Sequence, residues 1–239
     1  SSYTPRGPTG FTFPQYSSGC GCTFGSPYTS DVEAINILAF FSFANNYQGL
    51  EILLTNPQQC KILIVNKMNE ANVSPAAKVT YASILCMLGE RAYASIMAGE
   101  IQKNKVWDEG WHYTGMGQFG MCVSSLDALI MALGKAKDAS FLPVIVEKAR
   151  LLSPDDYFSH FRAIADAMET IGNEAAVPVL TDLLMMPGMR FHAMDSYRDA
   201  RRKTVPGNDD VSVRNAELKE LYLARALYRC GDKARLAQN

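Results

Sequence analysis

The chain has 239 residues, 48% hydrophobic and 20% charged, and its 23 basic and 24 acidic side chains leave a formal net charge of -1. A chain of this length buries enough surface to fold without disulfides or a structural metal, and its balanced charge supplies no field to draw it onto nucleic acid or an anionic membrane. Apolar runs such as Ile37–Phe41 and Ala175–Leu180 fall far short of the roughly 20 residues that span a bilayer, so neither a nucleic acid nor a membrane is an expected partner.

Residues 1–29 differ from the rest. They carry Pro5, Pro8, Pro14 and Pro27, several glycines, and the aromatics Tyr3, Phe11, Phe13 and Tyr16. No helical period fits, and proline without an N–H favours extended chain. An extended arm laid on a surface is expected here. At Ser30-Asp31-Val32-Glu33 a capping box announces a helix, and residues 30–239 read as one helical domain. Leu126, Leu129, Ile130 and Leu133 form one apolar stripe, Phe161, Ile164, Met168 and Ile171 a second, and Leu218, Leu221, Ala224 and Leu227 a third. No run alternates at period two, so strands are not expected.

The helices are punctuated. Asn45-Asn46, Gly89, Gly134, Gly172 and Gly231 each follow an apolar helical run, where a left-handed residue stops a helix. Pro143 and Pro178 then sit in the first turn of a following helix, where a missing N–H costs nothing. The recurrence is roughly 40 residues, with one longer step before Gly231 that implies an insertion near 187–211. The start at Ser1, with no recognisable leader, and the stop at Gly231–Leu236, where another helix should begin, lead to the expectation of a trimmed piece of a longer protein. The compartment stays open between cytoplasm and periplasm.

The segment Ile164–Leu180, with Gly172-Asn173-Glu174 at its turn and Val177-Pro178-Val179 after it, resembles a HEAT repeat. That resemblance implies an all-α, HEAT/armadillo-like solenoid of about five helix pairs that binds a protein or a neighbouring domain. A second resemblance rests on Gly110-Trp111-His112-Tyr113-Thr114-Gly115-Met116-Gly117-Gln118-Phe119-Gly120 and on Pro187-Gly188-Met189-Arg190 with His192-Ala193. These stretches look like the C-terminal helical region of certain bacterial FAD-dependent oxidoreductases. It implies that FAD would sit on a separate domain, with no cofactor bound by this chain, whose loop edge would pack on or complete the flavin site.

Function is expected on one rim. In a stacked array the turns within pairs line one edge and the connections between pairs the other. The connections at 106–123 and 187–211 are long, and long loops in a compact array usually carry function. The first offers Trp107, Trp111, His112, Tyr113, Gln118 and Phe119 as binding residues, with the alternative that its aromatics merely cover a core edge. The second offers Arg190, His192 and Tyr197, although its interleaved acids also fit a solvated loop. His160 maps to the same rim. Asp155 and Asp156, after Ser153-Pro154, read as first-turn carboxylates of a helix.

Gly115, Gly117 and Gly120 spell G-x-G-x-x-G, but no strand precedes them, so no dinucleotide is assigned. No metal is assigned either. The three histidines lack motif spacing, and Cys20-Gly21-Cys22 lacks a second ligand pair. Cys86 and Cys230 fall on apolar helix faces and read as small buried hydrophobes. No nucleophile elbow or phosphate loop is present, so catalytic residues are left unassigned.

Overall fold

A computed structural model describes residues 56–113, 124–193, 196, 198 and 211–231. The arm at 1–29, the capping box at Ser30 and the turn at Asn45-Asn46 lie outside the described residues. Within them the chain is helical, without strands: α1 (Pro57–Met68), α2 (Pro75–Met87), α3 (Ala94–Lys103), α4 (Ser125–Lys135), α5 (Leu142–Ala149), α6 (Phe158–Ile171), α7 (Val177–Leu184) and α8 (Val211–Cys230). No described helix is long and apolar enough to cross a membrane.

One local motif recurs three times. After α2, α4 and α6 the chain makes a single 3-10 turn, at Arg91–Tyr93, Ala139–Phe141 and Glu174–Ala176, and runs directly into α3, α5 and α7. In two of the three a short polar side chain closes the entry. Asp138 accepts from the Ser140 amide and Asn173 from the Ala175 amide, each at 2.9 Å, satisfying donors that a helix start leaves open. Pro143 and Pro178 occupy the first turns of α5 and α7, as expected.

The stops divide into two kinds. Gly172 ends α6 in the left-handed conformation (φ 66°), and Gly89 follows α2 with φ 91°. Gly134 is different: it lies inside α4, and Lys137 takes the left-handed position with φ 52°. A Cβ on Gly134 would stand 2.6 Å from the Ala167 Cα of α6, so this glycine exists for close approach rather than for termination. Gly134→Ala is therefore expected to push α4 off α6 and cost about 1–3 kcal/mol, read as a shift in the midpoint of urea unfolding.

The packing follows the chain. α2, α4, α6 and α8 contact one another in succession, and α3, α5 and α7 form a second row beside them. Tyr81, Ile84 and Leu85 of α2, Ile130 and Leu133 of α4, and Phe161, Ile164 and Met168 of α6 are fully buried in one core cluster with Met97, Ile101, Ile145 and Leu180. The stripes expected on α4 and α6 thus face the core. Cys60, Cys86 and Cys230 are buried, and burial pushes the Cys86 and Cys230 thiols up to about 11.

Two local expectations are corrected. On α8 the inward face is Asn215, Lys219, Leu223, Ala226 and Cys230, while Leu221 of the expected stripe is 51% exposed. Lys219 and Asn215 turn inward because backbone carbonyls receive them: Lys219 Nζ donates to Pro154 O at 2.7 Å and Asn215 Nδ2 to Tyr113 O at 2.9 Å. Hydrophobic periodicity assigns such residues to the wrong face. Further back, α6 begins at Phe158, so Asp155 and Asp156 precede the helix. The Asp156 carboxylate instead accepts from the Ser153 amide at 2.7 Å and closes the turn before it.

Candidate functional site

The first connection docks on α6 through polar groups that cap the neighbouring helices. Ser124 caps α4 by accepting from the Asp127 amide at 2.8 Å, and its hydroxyl donates to Asp108 at 2.6 Å. The second Asp108 oxygen accepts from the Leu126 amide at 3.2 Å. A loop carboxylate thus sits on the positive end of α4. Further along, Gly110 presses onto the start of α6: a Cβ there would meet Ser159 Oγ at 2.6 Å, His160 Cε1 at 2.7 Å and Tyr157 Cβ at 2.7 Å. Trp111 then exchanges two bonds with Ser159, its amide donating to the hydroxyl at 3.1 Å and its carbonyl accepting from the Ser159 amide at 3.2 Å. Two residues on, the Tyr113 amide donates to Asn215 Oδ1 at 2.7 Å, fastening the segment to α8.

Beneath this strip lies a buried pair. Asp127 Oδ1 is 2.8 Å from His160 Nδ1, with side-chain exposures of 0% and 1%. The Trp107 ring stacks on the imidazole with centroids 4.3 Å apart, and Tyr157 meets it edge-on at 5.6 Å. A carboxylate on Nδ1 fixes the tautomer and leaves Nε2 as the basic nitrogen, the arrangement that acid–base catalysis uses. Here the pair is sealed. Asp127 Oδ2 and Trp107 Nε1 are also buried, with no hydrogen-bond partner among the described residues.

The aromatics distribute by depth. Trp111 is 8% exposed and packs edge-on against Phe158 at 5.5 Å, with the Arg162 guanidinium 5.3 Å from its ring. Tyr113 is buried with it, and Arg214 lies over the Tyr113 ring at 5.4 Å. His112 points outward between them against Tyr157, centroids 4.8 Å apart. Partial burial holds His112 below its ordinary value, with Lys219 and His160 adding in the same direction.

His112 and His160 are therefore linked through Tyr157. His192 belongs to a different construction. Glu220 of α8 accepts the amides of Phe191, His192 and Ala193 at 3.0, 2.7 and 2.8 Å, while His192 Nε2 bonds Gly188 O at 2.8 Å. Arg190 lies over the Phe191 ring at 4.8 Å. Among the described residues no group of three or more His, Cys, Asp or Glu side chains is placed to hold a metal ion. Gln118, Phe119 and Tyr197, and the glycines at 115, 117 and 120, lie outside the described residues.

Burial alone would raise the Glu220 carboxyl, but the Ala193, Phe191 and His192 amides outweigh it and hold the group below its ordinary value. A depressed carboxyl stabilises the fold above its unfolded value, about 4.3, and loses that contribution as pH falls through the lower folded value. Amide protection at 191–193, corrected for intrinsic exchange, is thus expected to persist at pH 6 and collapse in acid. Glu220→Gln should weaken it already at neutral pH, with hydrogen exchange as the readout.

Asp108, Asp127, Asn215 and Glu220 are among the site residues that sequence reasoning did not single out. One local signal was present: Ser124-x-x-Asp127 has capping-box spacing and marks the start of α4, although Asp127 turns inward to His160. No family model matches the chain, and no curated protein or solved structure matches it either. The HEAT and flavoprotein resemblances accordingly rest on the residues quoted for them.

Proposed function

We propose that the chain is a non-catalytic interaction module, a HEAT/armadillo-type α-solenoid that scaffolds a protein or a neighbouring domain of a larger polypeptide. The observation that carries this is the fate of its polar and aromatic side chains. The one oriented acid–base pair among the described residues, Asp127–His160, is shut beneath Trp107, whereas Leu151, Phe191, Leu221 and Tyr228 stand exposed. A sealed acid–base pair together with displayed apolar side chains fits a binding role better than a catalytic one. The two helix rows joined by repeated 3-10 turns support the solenoid.

Two measurements test this. Solution scattering should return a radius of gyration clearly above the roughly 18 Å of a compact chain of this length. With photo-crosslinking residues at Leu151 or Phe191 in the native source, cross-links should converge on one protein or on a flanking domain of the same polypeptide. A turnover activity that disappears in a folded His160→Asn variant would replace this reading with an enzymatic one.

A further inference from the structure

Packing alone does not account for the sealed Asp127–His160 pair. Well-packed apolar side chains commonly stabilise a core as well as a buried polar pair does. Two atoms beside it make the sealed state less favourable still. Trp107 Nε1 and Asp127 Oδ2 are buried with no hydrogen-bond partner among the described residues. A buried polar atom without a partner has lost its hydration without compensation, so both atoms favour a state in which the cover lifts and water returns.

The cover is the irregular stretch 105–110, and its two ends are fixed. Lys148 Nζ donates to the Asn104 carbonyl, and Trp111 exchanges its two bonds with Ser159. Between these clamps little is buried. Lys105, Val106, Asp108 and Glu109 are exposed, and only Trp107 and Gly110 turn inward. Trp107 lies on the face of the His160 ring, and Gly110 lies on its edge, where a Cβ would stand 2.7 Å from Cε1, the carbon between the two nitrogens. Asp108 holds the middle through the Ser124 hydroxyl and the Leu126 amide, contacts that water can replace. Fixed ends, few buried contacts and stranded polar atoms beneath are the marks of a segment that opens locally. We infer that residues 105–110 form a lid hinged at Asn104 and Trp111, which swings off α6 and presents His160 to solvent. The nitrogen presented is Nε2, because Asp127 holds Nδ1. The inference goes beyond the interaction-module reading and does not depend on it.

The experiment is acylation of the full chain by diethyl pyrocarbonate, which attacks accessible neutral imidazoles, with the rate at each histidine read by peptide mass spectrometry. His112, exposed beside the lid, is the internal reference. His160 is expected to react about 10–100-fold more slowly than His112, well short of the roughly 10³–10⁸ protection that complete unfolding would impose. Its rate should stay within about twofold from zero urea to half the unfolding midpoint, because a lid exposes little surface when it opens. Gly110→Ala places a methyl group against the His160 ring and should prop the lid, raising the His160 rate about tenfold or more with the His112 rate unchanged. If that variant does not fold, Asp108→Ala, which adds no atom and frees the lid from α4, should raise the rate about threefold or more. A His160 that reacts only along the full slope of global unfolding overturns the inference. So does a folded Gly110→Ala chain, or failing that an Asp108→Ala chain, whose His160 reacts at the wild-type rate. Either result leaves the interaction-module reading standing, and an absence of cross-links at Leu151 and Phe191 would count against that reading alone.

Discussion

Asp127→Ala is expected to lower the free energy of unfolding by about 1–3 kcal/mol for the buried imidazole N–H left without its acceptor, with a further loss for the void. Both side chains are sealed from solvent and 2.8 Å apart. Removing the carboxylate leaves His160 Nδ1 under Trp107 with no acceptor in reach among the contacts described above, and opens a void where α4 meets α6. Asp127→Asn keeps the shape and an acceptor oxygen, so it should cost clearly less than alanine. Chemical denaturation of the three proteins at neutral pH checks the order. Near-equal stability of Asp127→Ala and wild type would show that the pair contributes nothing to the fold, and the case for a structural role would pass to a functional one.

Trp111→Ala is expected to cost about 3–5 kcal/mol, as for a truncated core aromatic. The ring is nearly buried, wedged edge-on against Phe158 and capped by Arg162. Its neighbour His112 points outward, and His112→Ala should stay within about 0.5 kcal/mol. Adjacent positions in one loop would then differ several-fold in effect. Thermal melts of the two variants provide the comparison: a small loss for Trp111→Ala would return that side chain to the recognition surface.

These two residues show how far the sequence carries. The loop's aromatic content was legible, and so were both of its alternatives, covering and binding. What separates Trp111 from His112 is which side of the strip each faces, and that depends on Ser159 and Asn215, which lie 48 and 102 residues away from their bonding partners in the chain. The same limit explains α8. Its period was visible, but its buried face is set by carbonyls of Pro154 and Tyr113 that accept from Lys219 and Asn215. An apolar stripe records only the hydrophobic part of burial.

Local signals succeeded where the cause was local. Helical class, the proline-led starts of α5 and α7 and the glycine stop at Gly172 all follow from forces within a few residues of the position concerned. Tertiary structure alone decided that Gly134 serves contact with Ala167, that Asp127 meets His160, and that Glu220 holds Phe191 in a strained, outward pose. Each of these pairings joins helices or loops distant in sequence. A single chain read in order carries the propensity of each piece but not the geometry by which two pieces meet.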